Sequence, residues 1–213
     1  MSEDISSTSD KVLQRMPAYI HYLRRLKEQG QTLVSATTMA EELGIYHTQV
    51  RKDLALTGVT GTPKVGHDVT SLINALESFL NWNVITEAFI VGVGHLGTAL
   101  INNSGWQKSG IKIIAGFDVN PDVIGKSIRE VEILPLDKLI NLTQRMHVKI
   151  GIITTPASEA QKIADMMIEA GILAIWNFAP INLHVPEYII VENTEIYAGL
   201  AVLSQKLKKK LQE

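Results

Sequence analysis

The sequence predicts an α/β protein in two parts, a helical N-terminal third followed by a longer region built on a parallel sheet. Two observations lead there. Up to about residue 80 apolar residues recur at three- and four-residue steps, the spacing of one helix face. Beyond residue 83 short apolar runs alternate with amphipathic stretches. Strand, helix and strand in repeated order imply parallel strands joined by right-handed crossovers.

In the first part, Leu13, Met16, Ile20, Leu23 and Leu26 lie on one helical face. Pro17 requires that helix to begin close by, because an interior proline costs about 3 kcal/mol. Gly30 stops it. Leu72, Ala75, Leu76 and Leu80 form a second amphipathic run that leads out of the domain. In the second part the expected strands are 87–93, 111–118, 148–154, 172–177 and 188–191, and the expected helices 96–104, 137–145, 159–170 and 198–211. The domains are expected at 1–80 and 84–195, with a separate terminal helix over 196–213.

With 46% hydrophobic and 20% charged residues among 213, the chain has a globular composition and enough length for two cores. No apolar run reaches the roughly 18 residues a membrane span needs. Residues 1–10 are polar and acidic, unlike a signal or transit peptide. The absence of cysteine excludes disulfides, thiolate catalysis and cysteine-held zinc, and fits a reducing, cytoplasmic setting. Net charge is −2, yet between Lys11 and Gly66 eight basic residues face four acidic ones. That local surplus suits a phosphate-binding face.

The stretch from Thr38 to Leu54 reads as a helix-turn-helix. Thr38 and Glu41 are expected to form a capping box, Ala40 to be small where the helices cross, Gly44 to turn the chain and Val50 to pack inward. The second helix then presents Thr48, Gln49, Arg51 and Lys52 outward, where Arg and Gln can read base edges and Lys can neutralise phosphate. Gly58, Gly61 and Gly66, with Lys64 between short apolar pieces, suit a β-hairpin wing whose tip meets the DNA backbone. The competing reading is a small helical domain with a solvated basic helix.

Phe89-Ile90-Val91 runs into Gly92-Val93-Gly94-His95-Leu96-Gly97, a strand leading through G-x-G-x-x-G into a helix. Gly92 suits the tight turn, Gly94 the approach of a pyrophosphate and Gly97 close packing of helix on strand. The phosphates would sit on free N–H groups at the helix start. Asp118 ends the next strand 21 residues after Gly97, the place of the acid that binds the adenosine ribose. Val119 and Asn120 follow it rather than Arg or Lys, which favours NAD over NADP. The expectation is a Rossmann-type domain for NADH or NAD+. A dehydrogenase would also need a proton relay beside the nicotinamide. The candidates are His95, His147, His184 and Tyr188; His95 sits in the phosphate loop, His147 introduces a strand, His184 suits a structural role, and no sizeable substrate domain follows the sheet. Enzyme chemistry is therefore not expected, which leaves a small NAD-dependent oxidoreductase as the rival of a different class.

Across roughly residues 11 to 205 the chain resembles the Rex family of redox-sensing bacterial transcriptional repressors. The resemblance rests on Gln49-Val50-Arg51-Lys52-Asp53-Leu54, the glycine-spaced wing, Gly92 to Gly97 and Phe117-Asp118-Val119-Asn120-Pro121. It extends to Ile153-Thr154-Thr155-Pro156 with Ala160-Gln161, and to Asn177-Phe178-Ala179-Pro180 through Val185-Pro186. It implies an N-terminal winged helix-turn-helix domain, a C-terminal Rossmann-type parallel-sheet domain and a swapped terminal helix in a homodimer. It further implies a palindromic double-stranded DNA operator that is released when NADH binds. By position, Gly92, Val93, Gly94, His95, Leu96 and Gly97 would hold the pyrophosphate, and Asp118 and Val119 the adenosine end. Thr155, Pro156, Asn177, Phe178 and Ala179 would approach the nicotinamide, while Thr48, Gln49, Arg51, Lys52 and Lys64 would meet DNA.

The sequence departs from the family pattern at His95, Thr57, His67 and Asn103. Some members couple ligand to DNA through an Arg, a Tyr and an Asp, whose positions here hold His21, Asn103 and Glu195, so no Arg–carboxylate fork can form. An aromatic beside that acid is replaced by Ile196. A divergent relative that binds DNA but responds weakly, or to another nucleotide such as CoA, is the alternative within the same class.

Overall fold

The computed structural model describes residues 8–103, 105–194 and 196–212, the side chain of Ile196 excepted, and it divides into two units at Val84/Ile85. In the first unit a short helix α1 (Asp10–Leu13) precedes α2 (Met16–Glu28), which carries Pro17 in its first turn, where the missing N–H costs nothing. Strand β1 (Leu33–Val34) leads to α3 (Ala36–Leu43) and α4 (His47–Ala55), and β2 (His67–Asp68) to α5 (Val69–Phe79). Met16, Tyr19, Ile20, Leu23, Met39, Val50, Leu72 and Leu76, all at or near zero exposure, form one core from the inner faces of α2 to α5.

The N-terminal signal of α3 differs from the expected capping box. Ser35, in extended conformation, is the cap, and its Oγ accepts the Thr38 N–H at 3.0 Å. Thr38 lies inside the first turn, and its hydroxyl is 2.8 Å from that of Ser35. The wing is also smaller than a full hairpin. Its turn closes through one bridge, Thr62 to Gly66, with Lys64 at a φ of 64° at the tip. The returning strand β2 pairs antiparallel with β1, which ties the wing root to the chain just before α3.

The second unit is a doubly wound sheet. Its parallel strands are β3 (Thr86–Val91), β4 (Ile111–Asp118), β6 (Val131–Pro135), β7 (Ile150–Ile153), β8 (Ala174–Asn177) and β9 (Ile190–Asn193), with β5 (Ser127–Ile128) antiparallel on β6. Among the described residues the spatial order is β5-β6-β4-β3-β7-β8-β9. Winding therefore reverses between β3 and β7, the switch point at which such sheets open a crevice. Helices α6 (His95–Asn102), α7 (Leu139–Met146) and α8 (Ala157–Glu169) are amphipathic crossovers. Two cores lie on the sheet, one containing Phe89, Phe117, Ile153 and Met167, the other Ile90, Ile133 and Ile152.

The expected strands all form, with shifts of up to two residues at their ends; the β5–β6 hairpin was not expected. Val131 and Ile133 point inward with Glu132 between them, an alternation too short to stand out beside Pro121, Gly125 and Pro135. The terminal helix α9 (Ile196–Lys210) leaves Tyr197, Leu200, Leu203 and Leu207 exposed.

Candidate nucleotide cleft and nucleic-acid interface

At the switch point a cavity of about 850 Å³ opens above the C-terminal ends of β3, β4 and β7. Its first wall is the glycine turn. Gly92 has a φ of 95°, which side-chain-bearing residues rarely adopt, and a Cβ there would come within 2.9 Å of the Thr154 backbone. Gly97, one turn into α6, faces the Gly92 carbonyl so closely that any Cβ would collide with that oxygen. Thr154 staples the opposite side, its hydroxyl donating to Gly92 O at 2.6 Å and to Val91 O at 3.1 Å. Gly94 caps α6 without a side-chain acceptor, and nothing lies within 4 Å of where its Cβ would be. The first N–H groups of α6 are therefore left for a ligand, at the positive end of the helix dipole.

The far wall is the end of β4. Asp118 Oδ2 accepts the Val93 N–H at 2.6 Å, and Oδ1 accepts those of Val119 and Asn120 at 2.7 and 2.8 Å. Three N–H donors thus fix the carboxylate at the cavity edge, with its remaining acceptor capacity chiefly on Oδ2. The Thr155 hydroxyl, buried and without a partner among the described residues, lines the same cavity.

Of the residues expected at the dinucleotide, Gly92, Val93, Gly94, His95, Asp118, Val119, Thr155 and Pro156 line this cavity together. Leu96 and Gly97 lie in α6 behind the lining. Phe178 and Ala179 line a second cavity of about 260 Å³ beyond β8 and β9, together with Thr194 and Tyr197. Asn177 is fully buried, and its amide is spent on the backbone at Ala179 and Ile181 and on Asn193. Asn120, from the Phe117–Pro121 stretch, also lines the larger cavity, as do Thr98, Val123, Leu136 and Glu159, which carry no motif that sequence reasoning could have used. Asn103 turns its side chain onto the Gly105 N–H at 2.9 Å, His21 is exposed on α2, and Glu195 lies outside the described residues.

In the first unit, α3 and α4 form the helix-turn-helix, with Gly44 ending α3 in the left-handed region. Ala40 is 4% and Val50 0% exposed, so the two helices cross as expected. Thr48, Arg51, Lys52 and Lys64 are exposed. Gln49 is the exception: half-buried, it donates from Nε2 to Asp53 Oδ1 at 2.7 Å. Tyr46 and His47, exposed at the start of α4, and the buried Asp53 were not singled out by sequence reasoning. The basic surplus contracts as well. Arg15 pairs with Asp53, Arg24 with Glu77 and Arg25 with Glu42. Arg51, Lys52 and Lys64 make no hydrogen bond or ion pair among the described residues, which leaves positive charge on α4 and the wing tip.

A winged helix-turn-helix with a free basic helix, joined in one chain to a doubly wound domain with a switch-point cleft, defines the class of ligand-responsive transcription regulators. Residues 83–181 match a family model described as "CoA binding domain", and residues 7–55 one described as "Putative DNA-binding protein N-terminus". The redox-sensing transcriptional repressor Rex of Bacteroides thetaiotaomicron is 39% identical over 204 residues, 96% of this chain and 93% of that protein. Rex of Porphyromonas gingivalis is 41% identical over 199 residues, 93% and 91% of the two chains. The crystal structure of RSP with β-NAD+ and operator DNA superposes with a TM-score of 0.86 at 34% identity, covering 99% of this chain and 98% of that one. The complex of RSP with β-NADH gives 0.87 at 33% identity and the same coverage. The chain belongs to the Rex family of redox-sensing transcriptional repressors.

Proposed function

We propose that this protein is a cytoplasmic, homodimeric repressor that holds a palindromic DNA operator and releases it when NADH binds. It acts by binding, not by catalysis, as its family does. The observation that carries the reading is the glycine-turned cleft ending at the Asp118 carboxylate, in a chain whose other unit presents Arg51, Lys52 and Lys64 exposed and, among the described residues, unpaired. No helix among the described residues is long and apolar enough to cross a membrane.

The residues present fit an NAD(H) molecule. The uncapped start of α6 would take the pyrophosphate, Asp118 the adenosine ribose and the unpartnered Thr155 hydroxyl a polar group further along. Phe178 and Ala179 would lie toward the nicotinamide. The bound dinucleotide supplies the redox signal, since the two oxidation states differ in charge and ring shape. The protein can respond only as far as it binds NADH better in its DNA-incompetent state. By reciprocity, operator must weaken NADH by the same factor. The direct test is to add NADH to a protein–operator complex and follow DNA release, with NAD+ in parallel. Release by NADH at lower concentration than by NAD+ is expected; equal release, or none, overturns the reading. Because His21, Asn103 and Glu195 stand where some members have an Arg–Tyr–Asp network, the release is expected to be partial.

The "CoA binding domain" match makes CoA the ligand to compare. The Asp118 carboxylate favours NAD(H), since it accepts from free ribose hydroxyls and repels a ribose phosphate, whether the 2′-phosphate of NADPH or the 3′-phosphate of CoA. Asp118→Ala should weaken NADH about tenfold, the value of a charge-assisted hydrogen bond, and narrow its advantage over NADPH. Calorimetry showing NADPH preferred by the wild-type protein would falsify the assignment.

Two recognition helices are needed to span a palindrome, with half-sites one helical turn or a multiple apart. The exposed apolar side of α9, Leu200, Leu203 and Leu207, is proposed to be covered by the second subunit. Light scattering at micromolar concentration is expected to report a dimer; a stable monomer would contradict it.

A further inference from the structure

We propose that Asp53 is a positioning residue for DNA reading: it fixes the setting of α4 on α2 and draws Gln49 away from the groove, leaving Thr48 and Arg51 to meet the base edges and Lys52 the phosphates. The inference rests on the repressor reading above.

Asp53 lies on α4 directly after Lys52, yet its side chain is only 1% exposed. It accepts four hydrogen bonds. Arg15 donates from Nε to Oδ2 at 2.8 Å and from Nη2 to Oδ1 at 2.9 Å, Tyr19 from its hydroxyl to Oδ2 at 2.7 Å, and Gln49 from Nε2 to Oδ1 at 2.7 Å. That fills the acceptor sites of an ionised carboxylate. Burial alone would push the Asp53 carboxyl up, but the Arg15, Tyr19 and Gln49 bonds outweigh it and hold it below the usual range. Tyr19 is pushed up to about 12, first by burial and then by the carboxylate, so it remains a donor.

The apolar contacts of α4, through Val50 and Leu54, are non-directional and tolerate a small roll of the helix. Three directional bonds, two from Arg15 at the N-cap of α2 and one from Tyr19 within it, do not. Base reading depends on that roll, because bidentate pairing to a base edge needs both donors in place. Phosphate attraction does not depend on it in the same way. Gln49, four residues before Asp53, shares its helix face and gives its amide to it. Its outward neighbours Thr48, Arg51 and Lys52 are exposed.

The test uses full-length protein and a duplex enriched by the wild type from a random-sequence library. Its affinity is compared with that for a scrambled duplex at equal salt. Asp53→Asn should lose about tenfold or more on the enriched duplex, while the scrambled duplex changes less than about threefold. Tyr19→Phe should shift the ratio in the same direction by less. A merely structural role would lower both affinities together through the folded fraction, leaving the ratio unchanged, and that result overturns the proposal. Should Asp53→Asn melt the first unit, Tyr19→Phe and Gln49→Ala decide. Gln49→Ala is expected to keep the wild-type preference at every base pair of the enriched duplex; loss of preference at any one of them makes Gln49 a reader and overturns its assignment. A wild-type protein that enriches no sequence overturns the repressor reading itself.

Discussion

Replacing Arg51 and Lys52 together by alanine is expected to lower operator affinity by roughly two to four orders of magnitude and to leave NADH affinity unchanged. Both side chains are exposed on α4 and unpaired among the described residues, so their removal breaks nothing within the protein. An arginine that reads guanine contributes about 1–3 kcal/mol, and a phosphate-bound lysine adds to that. Lost phosphate contacts also release fewer counterions, so the slope of log affinity against log salt should flatten by about one per contact. Arg15, Arg24 and Arg25 offer a built-in contrast, since each is already paired with a carboxylate. Fluorescence anisotropy over a salt series would measure both effects. Unchanged affinity in the double variant would mean that another surface holds DNA.

The second large effect belongs to Gly97. An alanine there would drive its Cβ into the Gly92 carbonyl oxygen, and neither atom belongs to a flexible side chain. Either α6 moves off the sheet or the turn after β3 opens, and both displace the N–H groups proposed to hold the pyrophosphate. Overpacking of this kind costs about 1–3 kcal/mol when the surroundings can yield and more when they cannot. Gly97→Ala should therefore abolish measurable NADH binding and lower the melting temperature of the second unit. Gly94→Ala is the control, because nothing lies within 4 Å of its absent Cβ. It should keep the fold and weaken only the ligand. Calorimetry with a thermal melt separates the two; normal NADH affinity in Gly97→Ala would remove the phosphate-turn assignment.

What the sequence by itself determined were features that depend on neighbours along the chain. The helix-turn-helix was legible because Ala40, Gly44 and Val50 stand at the spacing two crossing helices impose. The cleft was legible because Gly92, Gly94 and Gly97 follow a buried strand and Asp118 ends the next. The parallel strands were legible because crossover helices force near-continuous apolar runs. Tertiary structure decided whatever depended on residues far apart. Ser35, rather than Thr38, caps α3, because the chain leaves β1 in extended conformation at Ser35. The wing closes through a single bridge, and its returning strand pairs instead with β1, far back along the chain. Asn177, expected at the nicotinamide, is buried with its amide satisfied by backbone and Asn193. The strongest case is Asp53, 38 residues from Arg15 and 34 from Tyr19. A carboxylate in a basic helix reads as a surface charge until the fold brings α2 against it. Burial then makes its four hydrogen bonds obligatory, because an ionised group out of water must be fully paired.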